Sequence, residues 1–298
     1  MKRRKFIIQS GLTAMSISAF GDIIWDGKKF TGSSLTTSDI LGPFYRPGSP
    51  LRTNLVPTGS KSPVLELSGT IYGEDGVTPL SDVLIESWQC DENEKYDNQS
   101  DEYILRGSQK TDINGEYNIQ TIVPIPYEDP VVGWRPAHIH LRIFSPSRQD
   151  LITQIYLKND PYITSDAPAN SVESANRILE LTQSKSGINQ VKFDVVLGES
   201  YTLDDSAFRK IVGLYQIEPG YMEFYREGEL LFMKLNGQIL EACSYRGENT
   251  FVNGRNMSSV KFELQTEGSV KANIILFDNW PGIEAFPMKL VGTKTFKY

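Results

Sequence analysis

Short β-rich segments separated by turn sequences recur along this chain, and they constrain its fold more than any other feature. Between residues 64 and 198, these segments are bounded by turn signals such as Asp112–Gly115. Side chains of a strand alternate between two faces, and several short strands at regular spacing indicate an antiparallel β-sandwich. The predicted strands are Val64–Tyr72, Asp82–Gln89, Glu116–Ile122, His138–Phe144, Leu151–Leu157 and Val191–Leu197. We also predict one helix at Ser171–Thr182, from an approximate apolar face.

A second β-rich unit follows an expected linker at Tyr201–Phe208. Its segments are separated by glycine-containing turns such as Arg226–Glu229. This pattern predicts a second, smaller all-β domain over residues 206–298, built as a meander or small barrel. The predicted strands are Val212–Ile217, Met222–Tyr225, Leu230–Leu235, Val260–Leu264 and Val270–Leu276. The fold class expected for the whole chain is therefore all-β.

The first 21 residues have the pattern of an export signal. Four basic residues, Lys2–Lys5, precede a short apolar stretch that ends near Phe20. Such a stretch is too short for a comfortable membrane span, and Arg3-Arg4 favours a signal of the twin-arginine type. We expect residues 1–21 to direct export to the periplasm or cell envelope. A general secretory signal and an uncleaved anchor are the alternatives.

Charge and cysteine content limit the classes of partner. The formal net charge of −7 at pH 7 offers no basic surface for nucleic acid or an anionic membrane. The two cysteines, Cys90 and Cys243, are too few for a disulfide framework. We interpret Cys90 as a small buried apolar residue. Whether the two cysteines pair stays open.

The only two histidines of the chain, His138 and His140, stand two residues apart. On a strand this spacing places both imidazoles on one face, where they form half of a metal site. Two tyrosines, Tyr96 and Tyr127, fall in loops near this segment. Phenolate is an anionic oxygen donor that suits a hard trivalent cation, whereas zinc sites favour thiolate, imidazole and carboxylate.

Several segments in the first domain resemble the intradiol ring-cleaving dioxygenases. The resemblance covers about residues 38–198, so we place the first domain at 38–200. Within the family, Trp134–His140 and Lys192–Leu197 look closer to the protocatechuate 3,4-dioxygenase branch than to the catechol 1,2-dioxygenase branch. One departure is Glu94-Lys95, where the family usually has a glycine. The segments that carry the resemblance are Leu41–Arg46, Trp88–Asp91 with Tyr96, Thr111–Tyr117, Thr121–Pro124, Tyr127, Trp134–His140 and Leu151–Tyr156.

The resemblance implies one non-haem ferric ion per chain, held by Tyr96, Tyr127, His138 and His140. It implies an oxidoreductase that binds a small aromatic diol and O2 and cleaves the ring between its two hydroxyl-bearing carbons. The product would be a cis,cis-muconate-type diacid. A homo-oligomer is compatible with this expectation.

The resemblance also implies roles around the metal. Tyr127 would act as the base toward the substrate, and Arg135 would stabilise negative charge on the ring. Gln154 would orient the second imidazole. The residues implied to wall the substrate pocket are Leu41, Pro43, Tyr45 and Trp134.

The C-terminal unit, notably Ile211–Gly220, resembles the small β domain appended to exported serine-hydrolase-like proteins. It could cover the sandwich, mediate assembly or hold a ligand.

Two alternatives stay open at the level of sequence. A non-catalytic exported β-sandwich that binds a partner or serves as a scaffold would share the same strand pattern, because fold does not imply function. A zinc or copper site could instead combine the histidine pair with a carboxylate such as Asp91 or Asp129.

Overall fold

The computed structural model describes residues 35–295 except 147, 200–202, 266–268, 279, 281–282 and 285, together with two short strands at 24–25 and 30–31. The expected export signal at residues 1–21 lies outside the described residues. The described chain forms two β-rich units, which confirms the predicted all-β fold class. None of its described helices is both long and apolar enough to cross a membrane.

The first unit is a sandwich of two five-stranded sheets. The first sheet has the order β11-β10-β9-β4-β5, and in the second β3 pairs with β6 on one side and with β13 and β14 on the other. Most pairs are antiparallel, and short parallel pairs join β3 to β13 and β14. The strands are β1 (Ile24–Trp25), β2 (Phe30–Thr31), β3 (Val64–Tyr72), β4 (Leu84–Trp88), β5 (Arg106–Lys110), β6 (Glu116–Ile122), β7 (Tyr127–Asp129), β8 (Gly133–Arg135), β9 (His138–Phe144), β10 (Leu151–Leu157), β11 (Ile178–Leu179), β12 (Thr182–Gln183), β13 (Asn189–Lys192) and β14 (Val195–Val196).

The core between the two sheets determines on which face of β9 the two histidines lie. Every second residue from Ile139 to Ile143 is buried in this core, where each large apolar side chain contributes roughly 1.5–3 kcal/mol. His138, His140 and Arg142 therefore lie on the opposite face. They are only 1%, 1% and 4% exposed, because other parts of the chain cover that face.

The second unit begins with one short α-helix, α1 (Asp205–Ile211), and continues as a closed eight-stranded barrel in which the first and last strands pair. The Asp204 side chain caps α1 by accepting from the backbone N–H groups of Ser206 and Ala207. The barrel strands are β15 (Gly213–Gln216), β16 (Tyr221–Glu227), β17 (Leu230–Leu235), β18 (Gln238–Tyr245), β19 (Thr250–Val252), β20 (Ser259–Leu264), β21 (Val270–Leu276) and β22 (Met288–Lys294).

The barrel packs against the outer face of the first sheet. Leu230, Phe232 and Ala242 of the barrel share one buried cluster with Leu41 and Trp88 of the first unit. Of the three roles left open for this unit, the structure thus shows that it covers part of the sandwich. Cys90 and Cys243 are both buried and free.

The predicted helix at Ser171–Thr182 is wrong. The structure has a 3-10 helix at Val172–Arg177, followed directly by β11. Its buried residues are Ser174 and Arg177, three positions apart as a 3-10 helix requires, whereas Val172 of the expected apolar face is 91% exposed. The buried ion pair of Arg177 with Asp39 replaces the apolar packing that the prediction assumed.

Candidate metal centre

Two imidazoles face each other on the covered side of β9. The Nε2 atoms of His138 and His140 are 3.2 Å apart, and both rings are 1% exposed. The strand geometry predicted from the His-x-His spacing is confirmed. Burial lowers the pKa of His138 to about 3 and that of His140 well below its ordinary value, with His138 and Arg135 as further causes for His140. Both rings are therefore neutral near pH 7, which is the form that binds metal ions.

Both predicted phenols reach this histidine pair. The Tyr96 hydroxyl lies 3.2 Å from Nε2 of His138. Tyr127, which is 3% exposed, contacts the His138 ring at 5.5 Å and the Tyr96 ring at 5.6 Å between centroids. Thus the structure brings together the four side chains that the sequence analysis names as ligands.

The local backbone explains how the two phenols arrive. Tyr127 begins β7 and lies opposite Arg135 in the β7–β8 hairpin, so the hairpin fixes both relative to β9. The loop before Tyr96 is organised by Asp91, whose side chain accepts from the backbone of Lys95 at 2.9 Å. Glu94 adopts a left-handed backbone with φ 64°, a conformation that glycine adopts most easily. Glu94 therefore forms the same kind of turn that a glycine would form, but with some backbone strain.

The acidity of the phenols is set by burial and by one nearby cation. Burial raises the pKa of Tyr127 to about 12, and the charge of Arg135 opposes this rise. Burial and, secondly, the Tyr127 hydroxyl raise the pKa of Tyr96 well above its ordinary value. Without a further positive charge both phenols are protonated near neutral pH. A trivalent cation would supply that charge and bind two phenolates, so this donor set fits ferric iron.

Arg135 is buried beside the phenols and is held by two partners. Its guanidinium forms an ion pair with Asp166 and donates to Oε1 of Gln154 at 3.0 Å. Gln154 lies opposite His140 in the β9–β10 pairing, but its amide donates to the Ile40 carbonyl at 2.8 Å. Within the described part of the chain, Gln154 thus bonds to Arg135 and not to the imidazole that it was expected to orient.

The predicted pocket residues occupy different surroundings. Trp134 is 40% exposed and stacks on Tyr162 at 4.9 Å, whereas Leu41 is 1% exposed and belongs to the cluster shared with the barrel. Pro43 is partly buried, and its carbonyl is 3.4 Å from the Gln238 amide of the barrel. Tyr45 is 5% exposed. As pocket residues these four stay predictions.

Tyr45 lies against Trp88 rather than against the phenols. Its ring is 5.1 Å from that of Trp88, and its hydroxyl donates to Glu86 at 2.9 Å. The ring of Trp88 in turn lies flat on His140 at 4.8 Å. Trp88 lies in the Trp88–Asp91 segment that carries the family resemblance, but the sequence analysis predicts no role for it at the site.

Three further residues near the centre were missed. Phe44 stacks on Tyr96 at 4.4 Å and meets Tyr127 at 6.2 Å. Arg106 donates to the Phe44 carbonyl at 2.7 Å and to the backbone and side chain of the loop after Tyr96. The third is Asp166, the partner of Arg135. Phe44 could have been found from its place inside the Leu41–Arg46 motif, whereas the sequence carries no signal for Asp166.

The described residues do not favour a zinc or copper site. Among them, no group of three or more His, Cys, Asp or Glu side chains could hold a metal ion. Asp91 and Asp129 instead accept backbone hydrogen bonds in their own turns, for example from Lys95 and Val131. The protein side chains that the structure does place beside the histidine pair are the two tyrosines.

Comparison with known proteins places this site in context. A family model described as "Dioxygenase" matches residues 40–199, and the barrel strands lie beyond that range. The chain is 31% identical over 182 residues to chlorocatechol 1,2-dioxygenase of Rhodococcus opacus, covering 53% of this chain and 70% of that protein. It is 30% identical over 214 residues to 6-chlorohydroxyquinol 1,2-dioxygenase of Cupriavidus pinatubonensis, covering 66% and 75%.

A solved structure extends this likeness to three dimensions. The crystal structure of 3-chlorocatechol 1,2-dioxygenase from Rhodococcus opacus 1CP has a TM-score of 0.50 and 31% identity, covering 56% of this chain and 74% of that one. These relatives carry the names of chlorocatechol and chlorohydroxyquinol 1,2-dioxygenases. The expected closeness to the protocatechuate 3,4-dioxygenase branch therefore finds no support.

Proposed function

Because the chain belongs to the intradiol ring-cleavage dioxygenase family, we propose that it uses one non-haem ferric ion to cleave a catechol-type ring with O2. Tyr96, Tyr127, His138 and His140 would hold the iron. The observation that carries this proposal is the convergence of the two phenols on the histidine pair: the Tyr96 hydroxyl lies 3.2 Å from Nε2 of His138, and the Tyr127 ring lies 5.5 Å from the His138 ring between centroids. The alternative of a non-catalytic binding or scaffold module gives no reason for such a convergence, and family membership argues against it.

Bound ferric iron would act as a Lewis acid that draws electron density from a catecholate. The remaining chemistry belongs to the protein. Tyr127, once deprotonated, can accept a proton from a substrate hydroxyl and so act as the base. Arg135 places a fixed positive charge where negative charge develops on the ring. Incorporation of both oxygen atoms would give a cis,cis-muconate-type diacid.

The substrate class is the finer part of the proposal. The relatives named above act, by their names, on chlorocatechol and chlorohydroxyquinol, so we propose an unsubstituted, chlorinated or hydroxylated catechol. A carboxylated ring would need a cation at the pocket rim. In the described part of the chain, Arg135 is buried and held in an ion pair with Asp166, which gives no reason to prefer such a substrate.

The first experiment is a visible absorption spectrum of the iron(III)-loaded protein, before and after anaerobic addition of catechol. A broad tyrosinate-to-iron(III) band that shifts with catechol would support both phenolate ligation and substrate binding at the metal. Tyr127→Phe should weaken or shift that band and slow turnover. The control is Tyr117→Phe, because Tyr117 is equally buried but bonds to the Phe193 carbonyl in the sandwich core. A colourless wild-type protein after iron loading would refute the proposal.

We also propose export of the protein, on the basis of the basic and apolar residues at positions 1–21. Mass spectrometry of the mature N-terminus after expression with an active twin-arginine pathway tests this. Replacement of Arg3 and Arg4 by lysine should leave uncleaved precursor in the cytoplasm. Unchanged processing of that variant would contradict the twin-arginine assignment.

A further inference from the structure

A row of aromatic side chains connects the barrel to the candidate metal centre. Phe232 on β17 stacks on Tyr45 with 5.6 Å between ring centroids, and Tyr45 meets the ring of Trp88 at 5.1 Å. Trp88 lies flat against His140, at 4.8 Å and an interplanar angle of 8°. All four residues are at most 5% exposed. Direct packing therefore links a barrel residue to one of the proposed ligands.

A buried cluster of charged side chains also connects the barrel to the hydroxyl end of Tyr45. Arg142 follows His140 by two residues on the same face of β9, and it donates to the Tyr45 hydroxyl at 2.9 Å. Its guanidinium pairs with Asp150 of the sandwich and with Glu227 of β16 in the barrel. The backbone carbonyl of Glu227 accepts a further hydrogen bond from Arg142 at 3.3 Å. The barrel thus holds the ring of Tyr45 directly, through Phe232, and its hydroxyl indirectly, through Glu227 and Arg142.

His140 depends on packing more than its neighbour does. Nδ1 of His138 bonds to the Pro136 carbonyl at 2.6 Å, which fixes that ring. Nδ1 of His140 is buried and has no hydrogen-bond partner among the described residues. Metal-binding histidines usually have such a partner, and it fixes the ring orientation. The His140 ring instead packs flat against Trp88, while the rings of Tyr96 and His138 meet it edge-on at 5.9 Å and 4.8 Å.

We propose that Phe232 is a positioning residue for His140, and that the barrel thereby fixes the orientation of the second imidazole of the metal centre. The inference rests on the proposed function for its consequence, the retention of iron. It assigns the C-terminal unit a role in the metal centre of the first unit, transmitted through Tyr45 and Trp88. The family model ends at residue 199, so this support comes from outside the matched region.

The test compares Phe232→Leu with Phe262→Leu in the full chain. Phe262 is a matched control because it is 2% exposed, lies in the barrel core and contacts Phe224 at 5.0 Å, with no contact to Tyr45. Both proteins are loaded with iron(III), and the decay of the tyrosinate band is followed under excess chelator. We expect Phe232→Leu to lose iron about tenfold faster than the wild type, which is the lower end of the effect of removing a group that orients a metal ligand. The control should lose iron at the wild-type rate.

A second readout uses the metal-free protein. Because the chain has only two histidines, 15N-labelled histidine gives two sets of imidazole signals in NMR. Phe232→Leu should shift the His140 signals and leave those of His138 in place. If Phe232→Leu does not fold, Glu227→Gln replaces it as the test of support by the barrel, because the Glu227 side chain is 40% exposed and pairs with Arg142, which donates to Tyr45.

The outcomes separate the two proposals. Equal iron loss in Phe232→Leu and Phe262→Leu, or unchanged His140 signals in the folded variant, overturns the positioning role while leaving the proposed function intact. A wild-type protein without a tyrosinate band overturns the proposed function. In that case the imidazole signals of the metal-free protein still decide whether Phe232 positions His140.

Discussion

Replacing Arg135 separates a catalytic role of this residue from a structural one. Its ion pair with Asp166 is buried, the two side chains being 4% and 1% exposed, and it also donates to Gln154. Arg135→Met keeps the apolar stem but leaves the Asp166 carboxylate buried without its cation. Removal of one member of a buried pair costs about 3–5 kcal/mol. We expect that loss in the free energy of unfolding, together with loss of turnover.

The double variant Arg135→Met/Asp166→Asn removes the uncompensated charge. Asp166 also accepts from the Ala169 backbone N–H at 2.8 Å, a bond that an asparagine oxygen can still accept. Neutral replacement of a buried pair is often close to neutral in stability, so we expect recovery to within about 1–2 kcal/mol of the wild type. Turnover should stay about 10²–10³-fold lower, as for the loss of one electrostatic stabiliser.

Urea unfolding measures the stability of the three proteins, and oxygen uptake with saturating catechol measures their turnover. Lys110→Met is the control, because its pair with Asp82 is 52% and 76% exposed and contributes at most about 1 kcal/mol. A double variant that regains turnover along with stability would refute the reasoning. Arg135 would then serve only to neutralise Asp166.

Two further predictions concern a buried carboxyl group and a glycine. Burial raises the pKa of Glu241 from 4.5 to about 7, so this group stabilises the fold fully below pH 4.5 and loses that contribution as the pH rises through 7. At 1.36 kcal/mol per pH unit, the free energy of unfolding should fall by about 3 kcal/mol, and Glu241→Gln should abolish this pH dependence. The measurement is urea unfolding of both proteins at pH 5 and pH 8. An equal change in the free energy of unfolding in the two proteins would contradict the prediction. Gly42 has φ 75°, and a Cβ there would lie 3.3 Å from Cε1 of His140. Gly42→Ala should therefore cost about 1–2 kcal/mol in backbone strain and also weaken iron retention, whereas Gly59→Ala, with φ 81° and open space, should cost only the strain. Equal iron retention in the two glycine variants would show that Gly42 does not restrain the imidazole.

The strands that could be predicted are those whose burial follows the apolar pattern. In Val64–Tyr72 every second residue is buried, and the predicted bounds agree with β3. The strand β5, Arg106–Lys110, was missed because its buried residues are polar and carry no alternating apolar signal. The predicted strand Val191–Leu197 is interrupted, since β13 ends at Lys192 and β14 begins at Val195.

In the candidate site, too, the parts set by a local strand pattern could be predicted, and the parts set by tertiary packing could not. The shared face of His138 and His140 follows from strand geometry alone. The approach of Tyr96 and Tyr127 to that face was expected only from the family resemblance, because a loop and a hairpin bring them there. Asp166 lies in a turn region 31 residues after Arg135, and its pairing depends on tertiary structure. The local sequence pattern predicts that the two histidines share a face, whereas long-range packing determines which residues lie beside them.

Closure of the barrel also sets an order in which the chain can fold. The pair that closes it joins Tyr215 to Lys294, 79 positions apart, so it cannot form until Lys294 has been synthesised. The strand pairing of the sandwich, by contrast, is complete by Val196. The four side chains proposed to hold iron lie in the part of the chain that can assemble first. The contact of Phe232 with Tyr45, behind Trp88 and His140, is then added last, when the finished barrel docks on the sandwich.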